Sequence, residues 1–477
     1  LRELPPRHQL VYFNEITHWK YAQHAYIQMY PRADRNGDLP PHWSHEIYER
    51  RPDLALTKVY ARQTWYAWPR FYHRVFNDLM HYGVGDVTHS SGHHDHFNQW
   101  LWQRLLWAPR QTHEEVTAEY CRTWFGPEAA PLMTEALFLL EDVMEEIPGT
   151  PIDRKESVER CYDLMKQAGE LMPAWRRQQD YVWHMYMQKA AVDRYTQERV
   201  RQQKTLQQRL ETHLRDTAQP APDDALTTAL AWFDDLAETG TMASLRQEAF
   251  ALGEISNTRF GMRSEGMFNL EHDYIGLGWV KRQLERALAA SGDERREMLA
   301  MITNYEDAGE GGFYDNLGTG NNAPHVVFGY PYDHGQPYLN EMLDEGNRPS
   351  QASMHFTQDE DQGVTLHYRN LDPAAAYRIR FTFVRPWYQE RYAGRMNQKA
   401  QTIYADDRVL AENVELPFKM SDFFTWDIPQ ELTRDGDLVV RFERGADVAR
   451  GDRVSREQWR NSGGWGTLVS EAWLMRR

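Results

Sequence analysis

Residues 83–112 read GVGDVTHSSGHHDHFNQWLWQRLLWAPRQT. A short apolar run, Val84 to Val87, meets a turn, and His89, Ser90, Ser91, Gly92, His93, His94, Asp95 and His96 follow. An amphipathic, tryptophan-rich helix then begins. The pattern predicts a buried strand that delivers a polar loop to the mouth of a sheet or barrel, with a helix leaving it. Ligand sites of α/β architectures concentrate at such positions.

Upstream, residues 8–16 (HQLVYFNEI) read as another buried strand, Leu10 to Phe13, ending in Asn14-Glu15. An aromatic loop follows, with His18, Trp19, Tyr21, His24, Tyr26 and Tyr30. Residues 54–82 read as helix, with Pro69 marking a kink or a restart. Strand, helix, strand in this order is one parallel crossover unit.

Downstream, from 97 to about 290, the apolar period is helical: Leu101, Leu105, Leu106, then Val116, Tyr120, Trp124. Residues 173–217 read as one long charged helix. Near 303 the character changes to Gly, Asn and Asp, which is turn chemistry. Short alternating segments come next: Val364 to Tyr368, Tyr377 to Phe383, Gln401 to Tyr404, Phe423 to Ile428, Asp437 to Phe442 and Gly466 to Leu474. They predict an antiparallel β-sandwich.

The 477 residues leave room for two or three domains, and a net charge of −16 argues against non-specific binding to nucleic acid or anionic membrane. No apolar stretch approaches the roughly 20 residues of a membrane span. The sequence opens at Leu1 without an initiator Met or signal peptide, so we expect a mature product or a fragment, secreted or periplasmic. Cys121 and Cys161 are the two cysteines, which excludes a disulfide framework; two unpaired core thiols are expected, with one bridge as the alternative. The 17 Trp and 25 Tyr are an excess suited to stacking on pyranose faces or to large aromatic cores.

Glu15 stands where barrel enzymes place acids. A carboxylate there can protonate a leaving oxygen or act as nucleophile, given a second carboxylate at roughly 5–10 Å. Asp86, Asp95 and Asp34 are the candidate partners, and a structural salt bridge is the alternative role. His89, His93, His94 and His96 with Asp95 carry metal-type donors, but their spacing matches no standard motif. Hydrogen bonding to sugar hydroxyls or a substrate carboxylate, and a merely solvated loop, are the competing readings. His18 and His24 are placed to join such a pocket, with Trp19, Trp65 and Trp68 as stacking walls or as core. Glu306, Asp307, Asp315 and Asn316 offer calcium-type oxygens or a tight turn. The glycines there match no phosphate-binding fingerprint, and Ser90-Ser91-Gly92 is no nucleophile elbow.

Three stretches together carry a resemblance. They are Tyr82-Gly83-Val84-Gly85-Asp86-Val87 running into Asn98-Gln99-Trp100-Leu101-Trp102-Gln103-Arg104-Leu105-Leu106-Trp107-Ala108-Pro109, then Glu119-Tyr120-Cys121-Arg122-Thr123-Trp124-Phe125-Gly126-Pro127-Glu128-Ala129-Ala130, and Asn304-Tyr305-Glu306-Asp307-Ala308-Gly309-Glu310-Gly311-Gly312-Phe313-Tyr314-Asp315-Asn316-Leu317-Gly318. From about residue 80 on, the chain resembles the back half of large bacterial α-glucuronidase-like proteins of the glycoside hydrolase type. The resemblance implies a TIM-like barrel, a helical domain and a terminal β-sandwich.

A full barrel needs roughly 200 residues or more, and about 100 precede the helical region. The expected α+β multidomain chain is therefore the terminal part of a TIM-like barrel (1–110), an all-helical domain (111–300), a Gly/Asn-rich junction (301–350) and a β-sandwich (351–477). The N-terminal barrel strands would come from a missing segment or a second chain. The expected function is glycoside hydrolysis of an oligosaccharide or polysaccharide, with uronic acid as one substrate option. Glu15 is the catalytic candidate, and His18, Trp19, Trp65, Trp68, His89, His93, His94 and Asp95 are the substrate contacts. No cofactor is expected. A non-catalytic carbohydrate-binding or assembly module is the alternative, and a metal-dependent enzyme on the His-rich loop is a third reading.

Overall fold

The computed structural model describes residues 9–15, 54–60, 67–80, 82–90, 95–144, 150–217, 220–261, 270, 273–317, 323–333, 346–348, 350, 353–357, 363–385, 400–416, 419–420, 423–444 and 467–477. Helices alternate with short strands early in the chain, and antiparallel sheets fill its last third; no closed barrel is formed among the described residues. The helices are α1 (Leu54–Tyr60), α2 (Pro69–Leu79), α3 (His96–Trp107), α4 (His113–Phe125), α5 (Ala130–Met144), α6 (Glu156–Leu171), α7 (Ala174–Gln179), α8 (Tyr181–Asp216), α9 (Asp223–Ala231), α10 (Gly240–Phe260), α11 (Leu277–Ala289) and α12 (Gly292–Thr303). Two compact units result. The first holds Leu1–Tyr26, Arg50–Gln203 and Leu236–Glu271, and the second holds the remainder, so the division falls within α8.

In the first unit, β1 (Val11–Glu15) and β2 (Gly85–His89) pair in parallel, as strand, helix, strand predicts. The face turned to the helices is held by specific contacts. Tyr12 donates its hydroxyl to the Leu79 carbonyl at 2.9 Å, and Asp86 accepts from Trp102 Nε1 at 2.5 Å and Thr88 Oγ1 at 2.8 Å. Gly83 makes the first contact possible, since a Cβ there would lie 2.5 Å from the Tyr12 ring. The expectation of buried strands needs correction: Val11, Phe13, Val84 and Val87 are 55, 69, 63 and 57 % exposed. A pair of strands with helices on one side leaves its second face open, whatever the apolar content of the sequence.

The helix expected over 54–82 is two helices, and Pro69 restarts rather than kinks it, standing in the first turn of α2. The first free N–H groups of α2 are taken by a neighbour. Buried Glu141 of α5 accepts from the backbone N–H of Arg70 at 3.0 Å and of Phe71 at 2.8 Å. Helix α4 begins in a reciprocal cap between Thr112 and Glu115 and stops at Gly126, whose φ of 90° suits glycine. The single helix expected over 173–217 is α7 followed by α8, with Asp180 between them accepting from the N–H of Val182 and Trp183. Inside, Lys189 and Asp193 form a buried ion pair one turn apart, and Tyr60 donates to Asp193 at 2.8 Å, which ties α1 to α8. Both cysteines are free and buried.

In the second unit, the two largest of four antiparallel sheets among the described residues have five and four strands. One has the order β11 (Arg408–Glu415), β10 (Ala400–Ala405), β14 (Leu438–Arg444), β7 (Thr365–Tyr368), β4 (Val326–Phe328). The other runs β13 (Phe424–Ile428), β8 (Tyr377–Thr382), β16 (Glu471–Arg476), β3 (Phe313–Asn316). Their inner faces meet through Phe381 and Phe442, with ring centroids 5.0 Å apart. The Gln401 amide pairs with both backbone groups of Leu468, in a short strand of a third sheet. Phe313–Asn316 corrects the reading of 303–322 as turn alone, because this stretch pairs antiparallel with β16 as an edge strand and buries Asp315. Glu471 is buried in the second unit and accepts from Tyr305, Tyr314 and Thr382 at 2.8, 2.9 and 2.8 Å.

Candidate functional site

The parallel register sets Val11 opposite Gly85, Phe13 opposite Val87 and Glu15 opposite His89. Glu15 and His89 are therefore the last residues of neighbouring strands, at the carboxyl end of the pair. Strand alternation gives Glu15 the parity of Val11 and Phe13, and His89 the parity of Val87. That is the open face, and His89 is exposed on it. For Glu15 the described geometry is this backbone position.

Behind His89, polar groups fix the two ends of the loop. Ser90 Oγ donates to buried Asp95 at 2.8 Å, and Gln99 Nε2 donates to Ser90 Oγ at 2.6 Å. One turn on, Asn98 Oδ1 accepts the backbone N–H of Trp68 at 2.9 Å. His96 points the other way, into rings: its Nδ1 lies 2.8 Å from the Tyr120 hydroxyl, with Trp124 at 4.7 Å and Tyr181 at 5.6 Å between centroids. Burial pushes the His96 imidazole down to about 4, so it is neutral near pH 7.

These contacts sort the candidate residues. Asp95 anchors Ser90 from inside the protein. Trp68 is 2 % exposed and meets Phe71 edge-on, which is core packing. Asp86, one of the possible carboxylate partners of Glu15, has the opposite parity and is bonded to Trp102. His18, Trp19, His24, Asp34, Trp65, His93 and His94 lie outside the described residues. Among the described residues no group of three or more His, Cys, Asp or Glu side chains is placed to hold a metal ion. In the junction, Asp307 accepts the Gly309 N–H, and buried Asp315 accepts from His325 Nδ1 at 3.0 Å and Tyr368 at 3.2 Å. That is a turn and an inter-sheet clamp.

Sequence reasoning missed the Trp102–Asp86 bond and the ring cage of His96. The helical spacing of Asn98 and Trp102 on α3 was the available signal for the first. The second joins α3, α4 and α8, and no local pattern announces it.

A family model described as "Domain of unknown function (DUF4838)" matches residues 64–137, a stretch that includes α2, β2, the 89–96 loop, α3 and α4. No curated protein and no solved structure matches the chain.

Proposed function

We propose that this chain is carbohydrate-active: the C-terminal part of a bacterial α-glucuronidase-like glycoside hydrolase that degrades an oligosaccharide or polysaccharide, uronic-acid-bearing substrates included. In this reading β1 and β2 are the last strands of a TIM-like barrel, followed by a helical domain and a β-sandwich. The remaining barrel strands come from a preceding segment or a second chain, and the protein works in a secreted or periplasmic setting. The carrying observation is the parallel register that ends in Glu15 beside His89. Parallel strands are ordinarily covered on both faces, and ligands gather at their carboxyl ends. The exposed Phe13 and Val87 fit a sheet that awaits its second layer.

Glu15 would protonate or attack at the glycosidic centre, and His89 would hold a sugar hydroxyl or carboxylate beside it. Release of reducing ends from a panel of neutral and uronic-acid oligosaccharides tests this. Glu15→Gln is expected to lower the rate by at least about a hundredfold; undiminished hydrolysis by that variant would remove Glu15 from the chemistry. One observation favours the second reading, a non-catalytic carbohydrate-binding or assembly module: Asp86 and Asp95 are both engaged in bonds of their own. Oligosaccharide binding with no hydrolysis by the full chain would decide for it.

A further inference from the structure

In the first unit, α2 meets the first turn of α4 through two histidines: the rings of His73 and His113 have centroids 4.9 Å apart and planes 52° apart. Their contacts fix which nitrogens carry hydrogen. His73 Nε2 lies 3.3 Å from the Gln111 carbonyl, which only accepts, and its Nδ1 lies 3.4 Å from the Asn77 amide nitrogen, which only donates. His113 Nε2 lies 3.1 Å from Glu114 Oε1, while its Nδ1 is buried with no hydrogen-bond partner among the described residues. A second proton on His113 would therefore stand on Nδ1 as a buried donor with nothing to receive it. The surrounding charges act in the same direction. From α2 the ring meets His73 and the Arg70 guanidinium, and from α5 it meets Phe138 at 5.8 Å between centroids. Glu141 and Asp142 of α5 are both paired with Arg70. Glu114 of α4 attracts a charged ring, but it is exposed and screened by water.

We propose that this pair is an acid-sensitive latch between α2 and α4: a proton taken up by His113 in mild acid loosens the seat of α2. Burial, with His73 and Arg70 alongside, holds the His113 imidazole below its ordinary 6.5. The folded chain then binds fewer protons here than the unfolded one, so the contribution of the pair is complete above pH 6.5 and is lost as pH falls below it. Helix α2 belongs to the crossover between β1 and β2. One turn on from His73, Phe76 meets Trp102 edge-on at 5.2 Å, and Trp102 holds Asp86 of β2. A loosened α2 thus reaches the strand pair, whatever ligand the strand ends take.

Two readings on the full chain test this: an NMR titration of the histidine rings, and hydrogen exchange of the α2 amides. In the wild type His113 should titrate below 6.5, and in His73→Gln its midpoint should rise toward that value. Corrected for intrinsic rates, the opening of α2 should increase at least about threefold more in the wild type than in His113→Gln as pH falls from about 7.5 to about 5.5. A His113 midpoint at or above 6.5, which needs no variant to measure, would overturn the proposal. So would a midpoint unchanged in His73→Gln, or an α2 opening with the same pH dependence in the wild type and His113→Gln.

Discussion

His96 stands among Tyr120, Trp124 and Tyr181, and burial holds its pKa near 4 against an ordinary 6.5. Between these values the unfolded chain binds more protons than the folded one, so this residue makes stability rise with pH from about 4 to about 6.5. The contribution is complete above 6.5, is lost as pH falls through the window, and reaches about 3 kcal/mol. Asp180, raised by burial to about 6, acts with the opposite sign across much of the same range. Comparing wild type with His96→Phe cancels Asp180. The stability difference between the two proteins, read from urea unfolding, should shift in favour of the phenylalanine variant as pH drops from 6.5 to 4, and a difference independent of pH would refute the assignment. Glu141 invites a second residue-level test. Its carboxylate accepts from two backbone N–H groups of α2, one buried and one part-buried, so Glu141→Ala should lose roughly 2–4 kcal/mol, with Glu141→Gln losing less. Equal losses in the two variants would argue against the cap.

At the scale of elements, local rules decided what was legible. Pro69 restarts a helix because its ring fixes φ and lacks an N–H, and Thr112 with Glu115 announces α4 three residues apart. Thr112→Ala should therefore destabilise the protein by about 1 kcal/mol in chemical denaturation, and an unchanged midpoint would contradict that cap. The strands β8, β13 and β14 were readable from alternation, since their burial alternates along most of each strand, whereas β7, β10 and β16 bury residues on both faces. Strand β11 was not: it is an edge strand with charged residues along it, and its pairing with β10 comes from position rather than pattern. Gly83 admits the Tyr12 ring, so Gly83→Ala should push that ring off the Leu79 carbonyl and cost about 1–3 kcal/mol.

For the whole molecule, period and turn signals were enough for an α+β chain with helices first and antiparallel sheets last, and for the parallel pairing of β1 with β2. Burial was harder to read. An apolar strand looks the same whether its second face is packed or open, so Val84 and Val87 were expected inside and stand outside. The site followed the same rule: Asp95 and Trp68 carry chemistry in the sequence, but the elements around them turn both inward. What survives at the strand ends is Glu15 beside His89, a proximity of register that no reading of either stretch alone contains. Kinetics of the wild type, Glu15→Gln, His89→Ala and the double variant on one hydrolysed oligosaccharide test that pairing most directly. If the two residues act on the same sugar, each single change lowers kcat/KM and the double variant is little worse than Glu15→Gln. Fully additive losses, or a Glu15→Gln enzyme as active as the wild type, would contradict it.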